Sequence, residues 1–181
     1  PGQGNPNIKF DNEQVFINEL MAPFIDANND GIYNVFDGDY PMIEKGDKML
    51  WWLMNDEVEQ PQYGDPLGVE LTGRLYAFKC SEEDLLDNTT FLEFDLVNKS
   101  PNTYSDLHVG LFTDYDLGCF IDDYMGTIPH LNSHYAYNID AVDDVDCFSV
   151  TGFGNDIPIQ SITALNHDLT SIMYYTTAAV P

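Results

Sequence analysis

The sequence predicts an all-β protein, a β-sandwich of the Ig-like or jelly-roll-like kind with long Asp/Asn-rich calcium-binding loops. Three observations carry that expectation. Apolar and polar residues alternate with period two in several runs, Gly, Asn, Asp and Pro separate the runs, and helical periodicity is nearly absent. Successive side chains of a strand point to opposite faces, so such alternation marks one buried and one wet face.

The elements follow in chain order. Asp11 and Gln14 have the spacing of a capping box and predict a short helix through Leu20, stopped by Pro23. The run Met49 to Met54 is apolar on both faces and reads as a central strand, in which the adjacent Trp51 and Trp52 point to opposite sides. From Leu67 to Cys80, Leu67, Val69, Leu71, Leu75 and Ala77 share one face, with Glu70, Thr72 and Arg74 opposite. Leu92, Phe94 and Leu96 then alternate with Glu93 and Asp95. Leu107, Val109 and Leu111 alternate with His108, Gly110 and Phe112. Between these two strands, Asn98 to Asn102 has the Pro/Asn/Ser chemistry of a hairpin loop. Tyr135–Ile139 and Ser171–Thr176 are less regular strand candidates. No internal repeat, low-complexity tract or linker appears, so one domain over residues 1–181 is expected, as a fragment or processed product of a larger protein.

Charge narrows the function classes. The 181 residues hold 31 acidic side chains against 6 Lys and Arg, a formal net charge of −25. Nucleic-acid binding needs a basic footprint, and this chain has a single Arg, Arg74, and five Lys. Anionic membrane surfaces are excluded for the same reason, and no apolar run approaches the roughly 18 residues of a membrane span. With 44% hydrophobic and 13% aromatic residues the chain has the material for a folded core despite its charge.

The segment with the most chemistry is Asp26-Ala-Asn28-Asn-Asp30-Gly31-Ile32-Tyr-Asn34-Val-Phe-Asp37. Calcium takes about 6 to 8 oxygen ligands, and a twelve-residue loop supplies them from its positions 1, 3, 5, 7, 9 and 12. Those positions are Asp26, Asn28, Asp30, Ile32 (through its carbonyl), Asn34 and Asp37, with Gly31 where the chain must turn sharply. Asp stands at the twelfth position where the longer Glu is usual. Asp39 is read either as a further shell ligand or as a surface acid. Two other acidic groups follow: Asp114, Asp116, Asp122 and Asp123, and then Asp140, Asp143, Asp144 and Asp146. Close carboxylates repel unless a cation lies between them. Asp114, Asp116, Asp122 and Asp123 are therefore candidate metal ligands, with a solvated acidic face as the alternative for both groups.

Cysteines and histidines add less. Cys119 and Cys147 lie in Asp-rich loop sequence and suit a disulfide, whereas Cys80 closes an apolar strand pattern. His130 and His134 have i,i+4 spacing, but Leu131 stands where a metalloprotease helix needs Glu, and Pro129 opposes a helix. The sequons at Asn88 and Asn98 are no more than an Asn-rich chain gives by chance. No nucleophile elbow or phosphate-cradling Gly loop is present, and no acid pair is singled out for glycoside hydrolysis, so no catalytic residue is named.

The loop Asp26–Asp37 resembles the calcium loop of dockerin modules. More broadly, Ala22–Asn34, Asp37-Gly-Asp-Tyr-Pro41, Gly46-Asp47, Trp51-Trp52 and Asn55-Asp56 resemble a recurring stretch of large secreted proteins of Bacteroidota. The same holds for Pro66–Glu70, Val97–Ser100 and Asp114–Gly118 leading into Asp122-Asp123-Tyr124. Such proteins typically leave the cell by the type IX secretion route. The resemblance implies an extracellular or cell-surface β-rich module and favours Asp114, Asp116, Asp122 and Asp123 as one functional cluster; it implies no reaction. The expected function is a calcium-stabilised structural or adhesive module with Ca²⁺ as its cofactor. Its partners would be other surface proteins, copies of itself or polysaccharide. The alternative is a carbohydrate-binding module or part of a secreted glycoside hydrolase, with Trp51 and Trp52 in a sugar platform.

Overall fold

The computed structural model describes residues 9–10, 13–14, 22–56, 64–79, 84–143 and 150–174. Within them the fold is all-β: ten strands in antiparallel ladders, with one four-residue helix, α1 (Asp84–Asp87), and three single 3₁₀ turns. The chain divides into two compact units, residues 1–105 and 106–181. Among the described residues no helix is long and apolar enough to cross a membrane.

The first unit is built on a three-stranded sheet of β5 (Lys48–Asn55), β6 (Val69–Ala77) and β7 (Thr90–Asn98), in the order β5-β6-β7. The alternation in β6 sets its faces. Leu50, Trp52 and Met54 of β5 pair with Leu75, Gly73 and Leu71, which in turn pair with Leu92, Phe94 and Leu96 of β7. All eight side chains other than glycine therefore share one apolar face. Gly73 leaves room at its centre: the Trp52 indole lies where a Cβ would stand, and its ring meets Phe94 edge-to-face at 6.0 Å. The opposite face carries the ion pairs. Arg74 reaches Asp95 at 2.6 Å, Glu44 at 3.4 Å and Glu93 at 3.6 Å. Lys45 pairs with Glu93 and lies 5.7 Å from the Tyr76 ring centroid.

Asp56 closes the loop that joins β5 to β6. Its carboxylate accepts the N–H groups of Leu67 (2.5 Å), Gly68 (3.1 Å) and Val69 (3.0 Å). Partial desolvation pushes its pKa up, but the N–H groups of Val69, Leu67 and Gly68 outweigh that and hold it below 3.8. Two short ladders complete the unit: β1 (Lys9–Phe10) with β2 (Glu13–Gln14), and β3 (Phe24–Ile25) with β4 (Tyr40–Pro41).

The second unit holds a three-stranded sheet ordered β10-β9-β8, from β8 (Asp123–Ile128), β9 (Ser133–Asn138) and β10 (Gln160–Thr163). Pro129–Leu131 forms the 3₁₀ turn between β8 and β9, and Asn132 takes the left-handed conformation (φ 52°) that starts the return strand.

Three expectations are corrected. Met49–Met54 is an edge strand, because β6 lies in the middle; two apolar faces report burial, not the number of ladder neighbours. Leu107, Val109 and Leu111 form no strand: no ladder includes them, and they are exposed together with Phe112. Their alternation says which face a strand would bury but supplies no partner. The helix expected from Asp11 is contradicted at Glu13–Gln14, which pairs with Lys9–Phe10 as a strand; two residues closing on two residues form a tight hairpin in place of a helical turn. The remainder of that segment lies outside the described residues. Of Ser171–Thr176, residues 171–174 are irregular and the last two lie outside them.

Candidate metal centres

The loop between β3 and β4 is shaped by its own short side chains. Asp26 accepts the N–H of Asp30 (3.3 Å) and Gly31 (2.8 Å), Asn28 that of Asp30 (3.1 Å), and Asp30 that of Ile32 (2.8 Å). These Asx turns lay the oxygens of positions 1, 3 and 5 over the loop's backbone amides. Gly31 sits at φ 77°, a conformation that costs a residue with a Cβ. Asn34 then caps the 3₁₀ turn Val35–Asp37, accepting from the Phe36 N–H at 3.2 Å, while its amide donates to Asp37 at 2.7 Å. So Asp26, Asn28 and Asp30 share one set of Asx turns and Asn34 and Asp37 form a second, and the carboxylates of Asp26, Asp30 and Asp37 do not gather within 4.8 Å of one another as a trio. Phe24 of β3 and Tyr33, inside the loop, meet edge-to-face at 5.4 Å.

Asp39 is not a surface acid. It is only 3% exposed, and its two oxygens accept the N–H of Ala27 (2.9 Å) and of Asn34 (2.8 Å), clamping the two sides of the loop together. Nothing in the local pattern distinguishes such a clamp from a ligand two residues past the loop.

In the second unit the acids of two separate sequence clusters meet. Asp143 is fully buried; it accepts the N–H of Cys119 at 2.9 Å and of Phe153 at 2.6 Å. Gly118 (φ 70°) lies so close that a Cβ would collide with the Asp143 carboxylate. Cys119, Asp122 and Asp143 bring potential ligand atoms within 4.8 Å of one another, the only such group of His, Cys, Asp or Glu among the described residues. Beside them, Asp123 accepts the Leu117 N–H at 2.8 Å. Burial pushes the Asp123 carboxyl up, the Leu117 bond opposes this, and the charges of Asp122, Asp143 and Asp116 add to the rise.

Cys119 is disulfide-bonded. A disulfide sulfur is no thiolate, so the metal-binding capacity of this corner rests on its carboxylates. The other two cysteines, Cys80 and Cys147, lie outside the described residues, as do Asp144 and Asp146.

Of the four candidates in the first of these clusters, Asp122 and Asp123 stand in the corner and Asp116 acts on Asp123 by its charge. Asp114 is exposed and is not among the charges acting there. The sequence reading passed over Asn138, the cross-strand partner of Asp123, and left Asp143 unassigned. The register of β8 against β9 reveals Asn138, and packing against Cys119 and Phe153 reveals Asp143. His130 is exposed in its 3₁₀ turn, and His134 lies in β9 with Nδ1 3.1 Å from the Tyr115 hydroxyl. Trp51 and Trp52 are both half-buried, on opposite faces of β5.

Comparison with protein-family models, with curated proteins and with solved structures finds no match to this chain.

Proposed function

We propose that the chain is a calcium-stabilised structural or adhesive module of the extracellular surface, of the kind secreted by Bacteroidota through the type IX route and working as a subunit of a larger assembly. The observation that carries the reading is the turn at residues 26–37, where oxygen donors at the spacing of a calcium loop fold into consecutive Asx turns pinned by Asp39. In this proposal Asp26, Asn28, Asp30, Asn34, Asp37 and the Ile32 carbonyl hold Ca²⁺, and Cys147 is the partner of Cys119. A disulfide is at home in an oxidising, extracellular compartment.

Two features support association with other copies or other surface proteins. Leu50, Met54, Leu92, Phe94 and Leu96 are exposed on one face of the β5-β6-β7 sheet, and contiguous exposed apolar area marks interaction surfaces. Calcium would also offset part of the net charge of −25 that keeps like surfaces apart. The carbohydrate alternative gains no support from Trp52, which is committed to Gly73 and Phe94.

Extracellular calcium modules bind with Kd of about 0.1–1 mM, and a ligand at a hundredfold excess over Kd stabilises by about 2.7 kcal/mol. Thermal melts with saturating calcium and with chelator test the reading. A higher midpoint in calcium is expected; equal midpoints refute it.

A further inference from the structure

We infer that residues 106–181 hold a hard-cation site of their own, formed by side-chain oxygens of Asp122, Asp123, Asn138 and Asp143 with Asp116 at its rim. Asp123 and Asn138 are paired directly across the β8–β9 ladder, so their side chains rise from the same face about 5 Å apart. Asp122 and Asp143 bring carboxylate oxygens within 4.8 Å of each other at the end of that ladder, and both charges act on Asp123.

The decisive observation is what these oxygens lack. Among the described residues, Asp122 Oδ1, Asp123 Oδ1 and Asn138 Oδ1 are buried and have no hydrogen-bond partner. Asn138 is only 9% exposed, and its orphan is a neutral amide oxygen, so repulsion among carboxylates does not explain it. Buried acceptors are normally satisfied, and three orphans in one corner call for a shared partner. That partner is positively charged, because the corner also gathers the charges of Asp116 and Asp143. Residues 106–181 supply no Lys or Arg for that role, since the sequence has none after Lys99, and an ion from solution takes it in this inference.

The donor set names the class of ion. All the donors are oxygens, and carboxylates mixed with an amide carbonyl suit Ca²⁺, which tolerates irregular shells. Zinc favours nitrogen and thiolate, and the sulfur at hand is held in a disulfide. The site goes beyond the loop at residues 26–37, shares no residue with it and does not depend on it.

The test counts calcium on the whole chain by native mass spectrometry, comparing the wild type with an Asp122→Asn/Asp123→Asn double variant and an Asp26→Asn/Asp30→Asn double variant. The first variant is expected to lose one calcium equivalent and keep the loop's; an unchanged count overturns the inference. If the second variant loses none while the first loses one, the loop reading fails and this site stands. Asn138→Asp guards against misfolding as an explanation. With a cation in the corner, the added carboxylate lowers the melting temperature in chelator and enlarges the calcium-dependent rise. An equal loss with and without calcium contradicts the site.

Discussion

Replacing Asp39 by alanine separates what holds the loop's backbone from what the loop holds. Asp39 is 3% exposed and accepts two N–H groups, from Ala27 at 2.9 Å and Asn34 at 2.8 Å, so the change orphans two donors at once. A buried donor left unsatisfied costs about 1–3 kcal/mol. Both of these are part-buried and water will reach them in part, which places the expected loss at the lower end, about 2–3 kcal/mol in all. Asp39→Asn keeps one acceptor oxygen, and about half the loss is expected. Urea unfolding followed by far-UV circular dichroism, in calcium and again in chelator, reads the effect. Because Asp39 ties the backbone on both sides of the loop, Asp39→Ala is expected to be destabilising in both conditions, whereas Asp30→Asn lowers stability chiefly in calcium. A change below about 0.5 kcal/mol, within the usual range of a surface substitution, or a loss confined to calcium, refutes the clamp.

Gly73→Ala drives a methyl group into the Trp52 indole; overpacking of this kind costs about 1–3 kcal/mol, and a shift in tryptophan emission should accompany it. An unshifted spectrum with unchanged stability would show that Trp52 does not lie over Gly73. Asp56 gives a pH signature. Its folded-state pKa is lowered from 3.8, so its stabilisation is present above 3.8 and is lost as pH falls through the lowered value. Asp56→Asn is therefore expected to flatten the acid limb of the stability curve below that point, and an unchanged limb argues against the three-amide clamp on residues 67–69.

Period-two patterning made β6 and β7 legible, because each alternates Leu, Val, Ala or Phe with polar residues and the two are paired along their length; β9, the less regular candidate at Tyr135–Ile139, runs from Ser133 to Asn138. The rule failed at Leu107–Leu111, and the doubly apolar run Met49–Met54 is a strand as expected but at the sheet's edge, since hydrogen-bond partners are chosen by the whole sheet and leave no mark in one strand's pattern. The loop at residues 26–37 was visible because its donors are close in sequence, and Asx turns are made by the residues that define the motif. Asp39 and Asn138 were not. One acts by accepting backbone amides from both sides of a loop, and the other joins Asp123 only through the β8–β9 register. Asp143 was seen as one acid among several near Cys147; its full burial against Cys119 and Phe153 comes from tertiary packing.

Metal content of the protein purified without chelator, determined by elemental mass spectrometry, tests the central claim most directly. Calcium retained in stoichiometric amount, and removed together with part of the thermal stability by chelator, is the result predicted; protein that carries no divalent ion even after equilibration with excess calcium would contradict it.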